Sequence, residues 1–373
     1  MKKLQDLIKE LCPDGVPYKK VGDVCDIYTG GEAPSDCVKG NPATEECPYP
    51  VFSNGINGNE LYGFSSTYVI DRDAVTFSSI GTIGHPQIRK AKFTPIIRLK
   101  VIIPKNNNVL RLGFLKYALE IVEFNQQVSS VPNVNAAMIA NLRIPVPPVE
   151  IQDKVVDCLD AFLNLKSELI TEKQLREKQY SYFLDRMMKF TDSEKAMAIN
   201  TFSSFEQPSK YIVSSTNYDD SYDTPVLTAG QSFILGYTDE KSNIYPASKD
   251  SPVIIFDDFT GAFKWVDFPF KVKSSAMKII KTDESKVLLR FLFYTMVKLN
   301  YSSNEHKRLW ISFYSNLIVK VPSLDIQKKV VEVLDKFERL ANDTSYGIPA
   351  EINIRQRQYE YYRDLSLSFK EAK

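Results

Sequence analysis

Residues 144–162 of the chain read IPVPPVEIQDKVVDCLDAF, and residues 319–337 read VKVPSLDIQKKVVEVLDKF, 175 positions later. The same offset places Pro50-Val-Phe-Ser-Asn-Gly55 on Pro225-Val-Leu-Thr-Ala-Gly230. A repeat of this length lies well above the roughly 20–50 residues of a solenoid unit. The sequence therefore predicts two copies of one domain, each followed by its own connecting segment.

Both repeated blocks predict a helix with one apolar face. Apolar residues recur at steps of four, four and three from Ile151 to Phe162 and again from Ile326 to Phe337. The first helix runs from about 150 to 189 without Pro or Gly, whereas Gly347 and Pro349 break the second near 344–349. Such long arms should pair side by side and antiparallel. The residues expected at this pairing are Ile151, Val155, Leu159, Phe162, Tyr180, Ile326, Val330, Leu334, Phe337 and Tyr359.

The rest of each copy predicts a mixed α/β domain. Short runs such as Ala74-Val-Thr-Phe77 and Val253-Ile-Ile-Phe256 are typical of strands, and Gly, Asn and Pro lie between them. Each copy also contains a segment that favours a helix, near 112–124 and near 287–299. We therefore expect α/β domains over 1–143 and 191–318, and connecting helices over 144–190 and 319–373, in a pseudo-two-fold arrangement.

The charge distribution points to nucleic acid, although the 373-residue chain has a formal net charge of only +1. Residues 74–119 carry eight basic side chains, Arg98 and Lys100 among them, and no acidic one. Residues 264–308 carry ten basic side chains against four acidic ones. Corresponding parts of both copies are thus basic, as expected if each copy lays one face on DNA phosphates. The candidate DNA-binding residues are Ser78, Ser79, Thr82, Gln87, Arg89, Lys90, Lys92, Lys264, Trp265, Lys271, Lys273, Lys278, Lys307 and Arg308.

Motifs of independent catalysis are missing from the sequence. There is no GxxxxGK[ST] phosphate loop and no GxSxG nucleophile motif, and the five cysteines form no CxxC pair. We therefore expect no catalytic residue and no metal site. One alternative is a metal-dependent nuclease that uses Asp267, Glu284 and Lys286, and another is a coiled-coil scaffold that binds only proteins.

The duplicated motifs resemble those of the specificity subunits of Type I restriction–modification systems. The resemblance rests on Pro147-Pro-Val-Glu-Ile-Gln152 and Pro322-Ser-Leu-Asp-Ile-Gln327, which lead into helices ending in Lys178-Gln-Tyr-Ser-Tyr182 and Arg357-Gln-Tyr-Glu-Tyr-Tyr-Arg-Asp364. The opening Leu11-Cys-Pro-Asp-Gly-Val-Pro-Tyr-Lys-Lys-Val-Gly22 is also similar to the start of this family. Together these features span nearly the whole chain. One departure is that 191–204 lacks a clear copy of Tyr18-Lys-Lys-Val-Gly22.

The resemblance implies a cytoplasmic, non-catalytic DNA-binding subunit without a membrane segment. Its two target recognition domains would each read one half of a bipartite double-stranded DNA sequence, and the helices would set the spacing. Two adenine methyltransferase subunits would bind it, and restriction or translocase subunits would complete the assembly. The resemblance implies no cofactor on this chain, with S-adenosylmethionine, ATP and Mg on the partner subunits.

Overall fold

The structure, a computed structural model, describes residues 2–40, 42–56, 58–81, 83–122, 134–230, 232–301, 308–343 and 346–372. The chain divides into two compact units. Unit 1 comprises Met1–Ile170 and Ile352–Lys373, and unit 2 comprises Thr171–Glu351. Each unit contains one copy of the repeated domain together with parts of the long helices. No helix among the described residues is long and apolar enough to cross a membrane.

Unit 1 has two four-stranded sheets, with strand orders β2-β9-β6-β7 and β3-β5-β4-β8, and a further antiparallel pair formed by β1 and β10. Most neighbouring strands are antiparallel, but β4 and β8 run parallel. Its elements are α1 (Lys2–Leu11), β1 (Tyr18–Lys20), α2 (Val21–Val24), β2 (Cys25–Thr29), β3 (Val38–Lys39), β4 (Tyr49–Phe52), β5 (Leu61–Ser65), β6 (Ala74–Ser78), β7 (Gly84–Arg89), β8 (Thr94–Pro95), β9 (Lys100–Pro104), α3 (Leu112–Glu120), α4 (Ala136–Asn141), β10 (Arg143–Pro145) and the first part of α5 (Val149–Met187).

In the described part of unit 2, the strands form a four-stranded sheet of order β12-β18-β15-β16, a three-stranded sheet of order β14-β13-β17, and a pair of β11 with β19. Its elements after α5 are β11 (Lys195–Ala198), β12 (Ser203–Glu206), β13 (Thr224–Leu227), β14 (Ile234–Thr238), β15 (Val253–Asp257), β16 (Phe263–Val266), β17 (Lys271–Val272), β18 (Met277–Thr282), α6 (Leu289–Leu299), α7 (Leu309–Ser312), β19 (Ile318–Val321) and α8 (Leu324–Asn342). The last helix, α9 (Ile348–Leu367), begins in unit 2, and its residues from 352 belong to unit 1.

The two units share one strand order, apart from the additional edge strand β3 in unit 1, and this confirms the duplicated mixed α/β fold. The register also repeats, since Phe77 lies opposite Lys100 in unit 1 and Phe256 lies opposite Lys278 in unit 2. The missing copy of Tyr18–Gly22 is explained as well. Ala196 lies opposite Lys320 in the β11–β19 pair, as Tyr18 lies opposite Pro145, the residue equivalent to Lys320, in the β1–β10 pair. Because backbone groups make this pairing, the strand survives without similar side chains.

The apolar face of the repeated helix packs mainly onto the domain that precedes it. In unit 1, Ile151, Val155 and Leu159 are fully buried in one cluster with Phe77 of β6 and Phe114 of α3. In unit 2, Val330 and Leu334 belong to the equivalent cluster, whereas Ile326 is 40% exposed. Burial of each such side chain contributes about 1.5–3 kcal/mol. These residues therefore anchor the helices to the domains as well as to one another.

The helices pair antiparallel within each unit, as predicted. In unit 1, Phe162 of α5 stacks on Tyr362 of α9 with ring centroids 5.1 Å apart, and Lys166 Nζ donates to Gln356 Oε1 at 2.7 Å. Residue numbers thus rise along α5 while they fall along α9. In unit 2, Phe183 of α5 stacks on Phe337 of α8 at 4.7 Å. Phe162 corresponds to Phe337 in the repeat, and Phe183 to Tyr362, so both units use the same pair of positions.

The second arm is broken between α8 and α9, in the region where the sequence places Gly347 and Pro349. The N–H of Gly347 donates to Asp343 O at 2.8 Å. A Cβ atom on Gly347 would lie 2.6 Å from the carbonyl oxygen of Arg339, so a larger residue would collide with the end of α8. Pro349 is the second residue of α9, where a missing N–H costs nothing. Residues 344 and 345 lie outside the described part of the chain.

Candidate nucleic-acid interface

Three loops of unit 1 meet where β4, β6 and β8 end, and Asn54 joins them. Its Oδ1 accepts a hydrogen bond from the N–H of Ser79 at 2.8 Å, and its carbonyl oxygen accepts one from Ser78 Oγ at 3.1 Å. Its Nδ2 donates to the carbonyl oxygen of Ile97. The loop after β4, the loop after β6 and the loop after β8 are therefore held as one surface.

The loop after β8 presents Ile97 and Arg98 in an unusual backbone conformation. Their φ angles are +51° and +60°, in the left-handed region that a β-branched residue rarely adopts. The N–H of Ile97 donates to Gly31 O at 2.8 Å and that of Arg98 to Gly30 O at 3.0 Å. A Cβ atom on Gly30 would lie 2.8 Å from the nitrogen of Ile96, so this close approach requires glycine. Backbone strain of this kind concentrates at functional sites.

Both side chains of this loop point to solvent. Ile97 is 51% exposed, and Arg98 is exposed and makes no ion pair among the described residues. Arg98 also lines a cavity of about 660 Å³ together with Gly30, Gly31 and Tyr62. An arginine held on a rigid loop is well suited to bind phosphate oxygens or the O6 and N7 atoms of guanine.

Ser78 and Ser79, which the sequence suggested as DNA contacts, are buried inside this loop cluster. The Oγ atom of Ser79 donates to the carbonyl oxygen of Arg98 at 2.8 Å. The two serines are 3% and 0% exposed, so they position the loop of Arg98 and do not face solvent.

The other candidates in unit 1 lie in different surroundings. The guanidinium of Arg89 lies 4.2 Å from the ring centroid of Phe52 and 3.6 Å from Glu60, and burial lowers the pKa of Arg89. Lys90 is exposed but pairs with Asp73 at 2.9 Å, and its hydrogen bond lowers the pKa of Asp73. Gln87 is half-buried, and Lys92 is exposed beside Tyr68. Thr82 lies outside the described residues.

Two lysines predicted to bind DNA in unit 2 are buried in ion pairs. Lys271 is 2% exposed and its Nζ lies 2.7 Å from Glu240. Lys278 is 1% exposed and its Nζ lies 3.2 Å from Asp258. Each ammonium group is paired with a carboxylate inside the domain, so neither lysine faces DNA.

The remaining unit 2 candidates lie closer to the surface. Lys273, directly after β17, and Arg308 are exposed. Lys264 and Trp265 are half-buried on β16, and Arg290 stacks on the Trp265 ring at 4.7 Å. Lys307 lies outside the described residues.

Arg98 and Asn54 are the residues that the sequence-based site set missed. Arg98 was counted within the basic run, but nothing in a single sequence shows which member of that run stands on a rigid loop. Gly30 was the available signal, because a backbone that approaches another so closely needs glycine.

The structure does not assemble the acidic residues of the nuclease alternative. Within the described ranges, no three His, Cys, Asp or Glu side chains are grouped as metal ligands. Glu284 accepts a hydrogen bond from the N–H of Leu289 at 3.3 Å, at the start of α6, and Lys286 pairs with Asp283 at 2.8 Å. These contacts stabilise the first turn of α6 and do not form a metal site.

A family model covers most of the chain. The model described as the type I restriction modification DNA specificity domain matches residues 13–177 and 203–353, one match in each copy of the repeat. The specificity subunit of the Escherichia coli type I restriction enzyme EcoR124I/EcoR124II is 46% identical over 200 residues. That similarity covers 51% of this chain and 48% of the relative, about half of each.

Two further similarities extend over nearly the full length. A putative type I specificity subunit of Mycoplasma pneumoniae is 26% identical over 360 residues, which cover 92% of this chain and 95% of the relative. The crystal structure of a type I restriction–modification S subunit from M. genitalium superposes with a TM-score of 0.62, covering 94% of this chain and 96% of that one. The M. genitalium structure is only 12% identical in sequence, so its similarity concerns the fold alone.

Proposed function

The chain belongs to the family of type I restriction modification DNA specificity domains, and we propose that it is the DNA sequence-specificity subunit of a type I restriction–modification complex. Each copy of the repeated domain reads one half of a bipartite target. One observation carries this proposal. The same fold occurs twice in the chain, and in both copies an exposed cation follows the end of the equivalent strand.

The equivalent strand ends are those of β8 in unit 1 and β17 in unit 2. β8 runs parallel to β4 and leads to Arg98, and β17 runs parallel to β13 and leads directly to Lys273. Arginine and lysine both bind DNA phosphates, and arginine forms two parallel hydrogen bonds with guanine. The proposed DNA-facing residues are therefore Lys92 and Arg98 in unit 1, and Lys273 and Arg308 in unit 2.

The long helices set the spacing between the half-sites in this proposal. At 1.5 Å per residue, the 39 residues of α5 span about 58 Å. In this proposal the length of these helices determines the number of base pairs between the two half-sites. Half-sites read from one side of B-DNA then lie about one helical turn, roughly 34 Å, apart.

The same helices carry the surface on which partner subunits dock. Large apolar side chains remain exposed on them, among them Leu175 at 59% and Tyr361 at 63%. Two adenine methyltransferase subunits bind there, and restriction or translocase subunits join them in the cytoplasm. This chain contributes no catalytic residue and no cofactor, and S-adenosylmethionine, ATP and Mg²⁺ belong to the partners.

Separate substitutions in the two copies test whether each copy reads one half-site. Arg98→Ala and Lys273→Ala are introduced singly, and methylated sites are mapped across a genome in cells that carry each variant. Each variant should weaken the contacts at one half of the bipartite motif and leave the contacts at the other half intact. If one substitution altered both halves equally, the assignment of one half-site to each copy would be wrong.

A further inference from the structure

Lys100 and Lys278 occupy the same place in the two copies of the domain. Lys100 lies opposite Phe77 of β6, and Lys278 lies opposite Phe256 of β15. Both side chains are buried, at 4% and 1% exposure. A buried ammonium group is costly unless an opposite charge lies beside it.

In unit 2 this cost is offset by Asp258. Its Oδ2 lies 3.2 Å from Lys278 Nζ, and its Oδ1 accepts a hydrogen bond from the N–H of Trp310 at 2.9 Å. The lysine of unit 2 therefore has an internal counter-charge.

In unit 1 the position of Asp258 is taken by Ser79. Each directly follows the residue that ends its strand, Ser78 of β6 and Asp257 of β15. The hydroxyl of Ser79 is engaged with the carbonyl oxygen of Arg98 and carries no charge. Within the described ranges, Lys100 Nζ has the hydroxyl of Thr29 at 3.3 Å as its hydrogen-bond partner and has no carboxylate at ion-pair distance.

A second cation, Arg98, acts on Lys100. Burial lowers the pKa of Lys100, and the positive charge of Arg98 lowers it further. Glu32 lines the same cavity as Arg98, but it is exposed and forms no ion pair within the described ranges. The two residues are linked at the end of β2, because Lys100 Nζ donates to the hydroxyl of Thr29 and the N–H of Arg98 donates to the carbonyl oxygen of the next residue, Gly30. Within the described ranges neither cation forms an ion pair, so an anion from outside the chain that reached this place would be stabilised by both.

We propose that Lys100 and Arg98 form an anion site of unit 1 that binds a phosphate of the DNA backbone, whereas the equivalent lysine of unit 2 is neutralised internally by Asp258. This inference rests on the proposed function and deepens it. Arg98 reaches the phosphate from the exposed side, and Lys100 supplies the buried charge beside Thr29. The two copies of one domain therefore hold DNA differently at the same place.

Two substitutions in unit 1 test the site. Lys100→Met keeps an unbranched side chain and removes its charge, and Ser79→Asp introduces the carboxylate of unit 2. Lys9→Met, on the exposed side of α1, is the matched control. The full chain, assembled with its methyltransferase subunits, is titrated against a fluorescein-labelled duplex of mixed sequence at several salt concentrations, and thermal unfolding of each variant is followed in parallel.

The wild type and the Lys9→Met control should bind the duplex alike. Lys100→Met should bind about tenfold more weakly, and its plot of log K against log salt should be less steep by about 0.9, the loss of one phosphate contact. Ser79→Asp should weaken binding in the same direction. Lys100→Met should unfold at a temperature no lower than the wild type, because it removes an uncompensated buried charge.

Three results would overturn the inference in different ways. Unchanged affinity and salt dependence in both variants, with the wild type binding normally, would overturn this site alone. A wild type that fails to bind the duplex would contradict the proposed function as well. Stabilisation of the wild type, but not of Lys100→Met, by inorganic phosphate, with DNA affinity unchanged, would assign the site to a free anion.

Discussion

Gln152 binds the start of the neighbouring helix α3 through Arg111, whose N–H donates to Gln152 Oε1 at 2.7 Å. The Nε2 group of the same side chain donates to the carbonyl oxygens of Val109 and Pro147 at 2.8 and 2.7 Å. Gln327 repeats all three bonds in unit 2 with Leu288, Lys286 and Pro322, at 2.9, 3.1 and 2.9 Å. Both glutamines are fully buried. The spacing of Pro and Gln in the duplicated motif therefore has a structural reason.

Replacing either glutamine should destabilise the unit that contains it. Gln152→Ala or Gln327→Ala leaves one backbone N–H and two carbonyl groups without their partner, at about 1–3 kcal/mol for each buried group left unpaired. We expect a loss of about 3 kcal/mol or more in the free energy of unfolding, measured by denaturant titration. Gln174→Ala, on an exposed face of α5, is the control and should change little. Equal effects of all three variants would contradict this role.

The stacked aromatic pairs should contribute to stability in both units. Phe162→Ala and Phe337→Ala each remove one ring from an antiparallel helix pair, and we expect losses of about 1–3 kcal/mol in unfolding free energy. A double-mutant cycle between Phe162 and Tyr362 should give a coupling of about 0.5–1.5 kcal/mol. Leu175→Ala removes an apolar side chain of α5 that is 59% exposed and serves as the control. A coupling of zero would show that the two rings do not stabilise each other.

The buried ion pair of unit 2 should respond to the loss of either charge. Lys278→Met leaves Asp258, which is 1% exposed, without its counter-charge, so we expect a loss of about 3–5 kcal/mol in unfolding free energy. The double substitution Lys278→Met with Asp258→Ser, which copies the residue of unit 1, should recover part of that loss. No recovery in the double variant would show that the damage of Lys278→Met does not come from an unpaired carboxylate.

Acidic pH should lower the folding stability of unit 2, because Glu240 loses its negative charge. The side-chain hydrogen bond from Lys271 lowers the pKa of this carboxyl group, and the N–H groups of Ser214 and Ser215 lower it further. A lowered pKa in the folded state stabilises the fold above the ordinary glutamate value of about 4.3, and this contribution is lost as the pH falls through the lowered value. Thermal unfolding from pH 6 downwards should therefore show a steeper loss for the wild type than for Glu240→Gln. Parallel curves would contradict this assignment.

Lengthening the helices should change the spacing of the DNA target and leave its halves alone. Four residues inserted in α5 and four in the second arm add about 6 Å, close to two base pairs. Methylation mapping should then find the same two half-sites with a longer gap between them. An unchanged gap would contradict the role of the helices as the spacer.

The sequence predicted the parts of the fold that recur along the chain. The repeat, the apolar faces ending at Phe162 and Phe337 and the break at Gly347 are visible because periodicity and glycine have direct structural consequences. Strand β11 was not visible, because backbone pairing at Lys195 needs no particular side chain. The candidate interface was less predictable. Lys271 and Lys278 look like surface charges until Glu240 and Asp258, distant in sequence, are seen beside them.

The same limit explains why the sequence suggested Ser78 and Ser79 as contacts with DNA. Their polarity suggested contacts with DNA, but the residues that surround them, Asn54 and Arg98, come from loops about 20 positions away on either side. Only the folded chain shows that the serines hold the loop while Arg98 faces solvent.

Genome-wide mapping of methylated adenines, in cells with and without this gene, tests the central claim most directly. The proposed function predicts one bipartite motif, two short specified sequences separated by a fixed unspecified gap, that is methylated when the gene is present and unmethylated when it is deleted. A methylation pattern that is identical in both strains, with the methyltransferase genes intact and expressed, would contradict it.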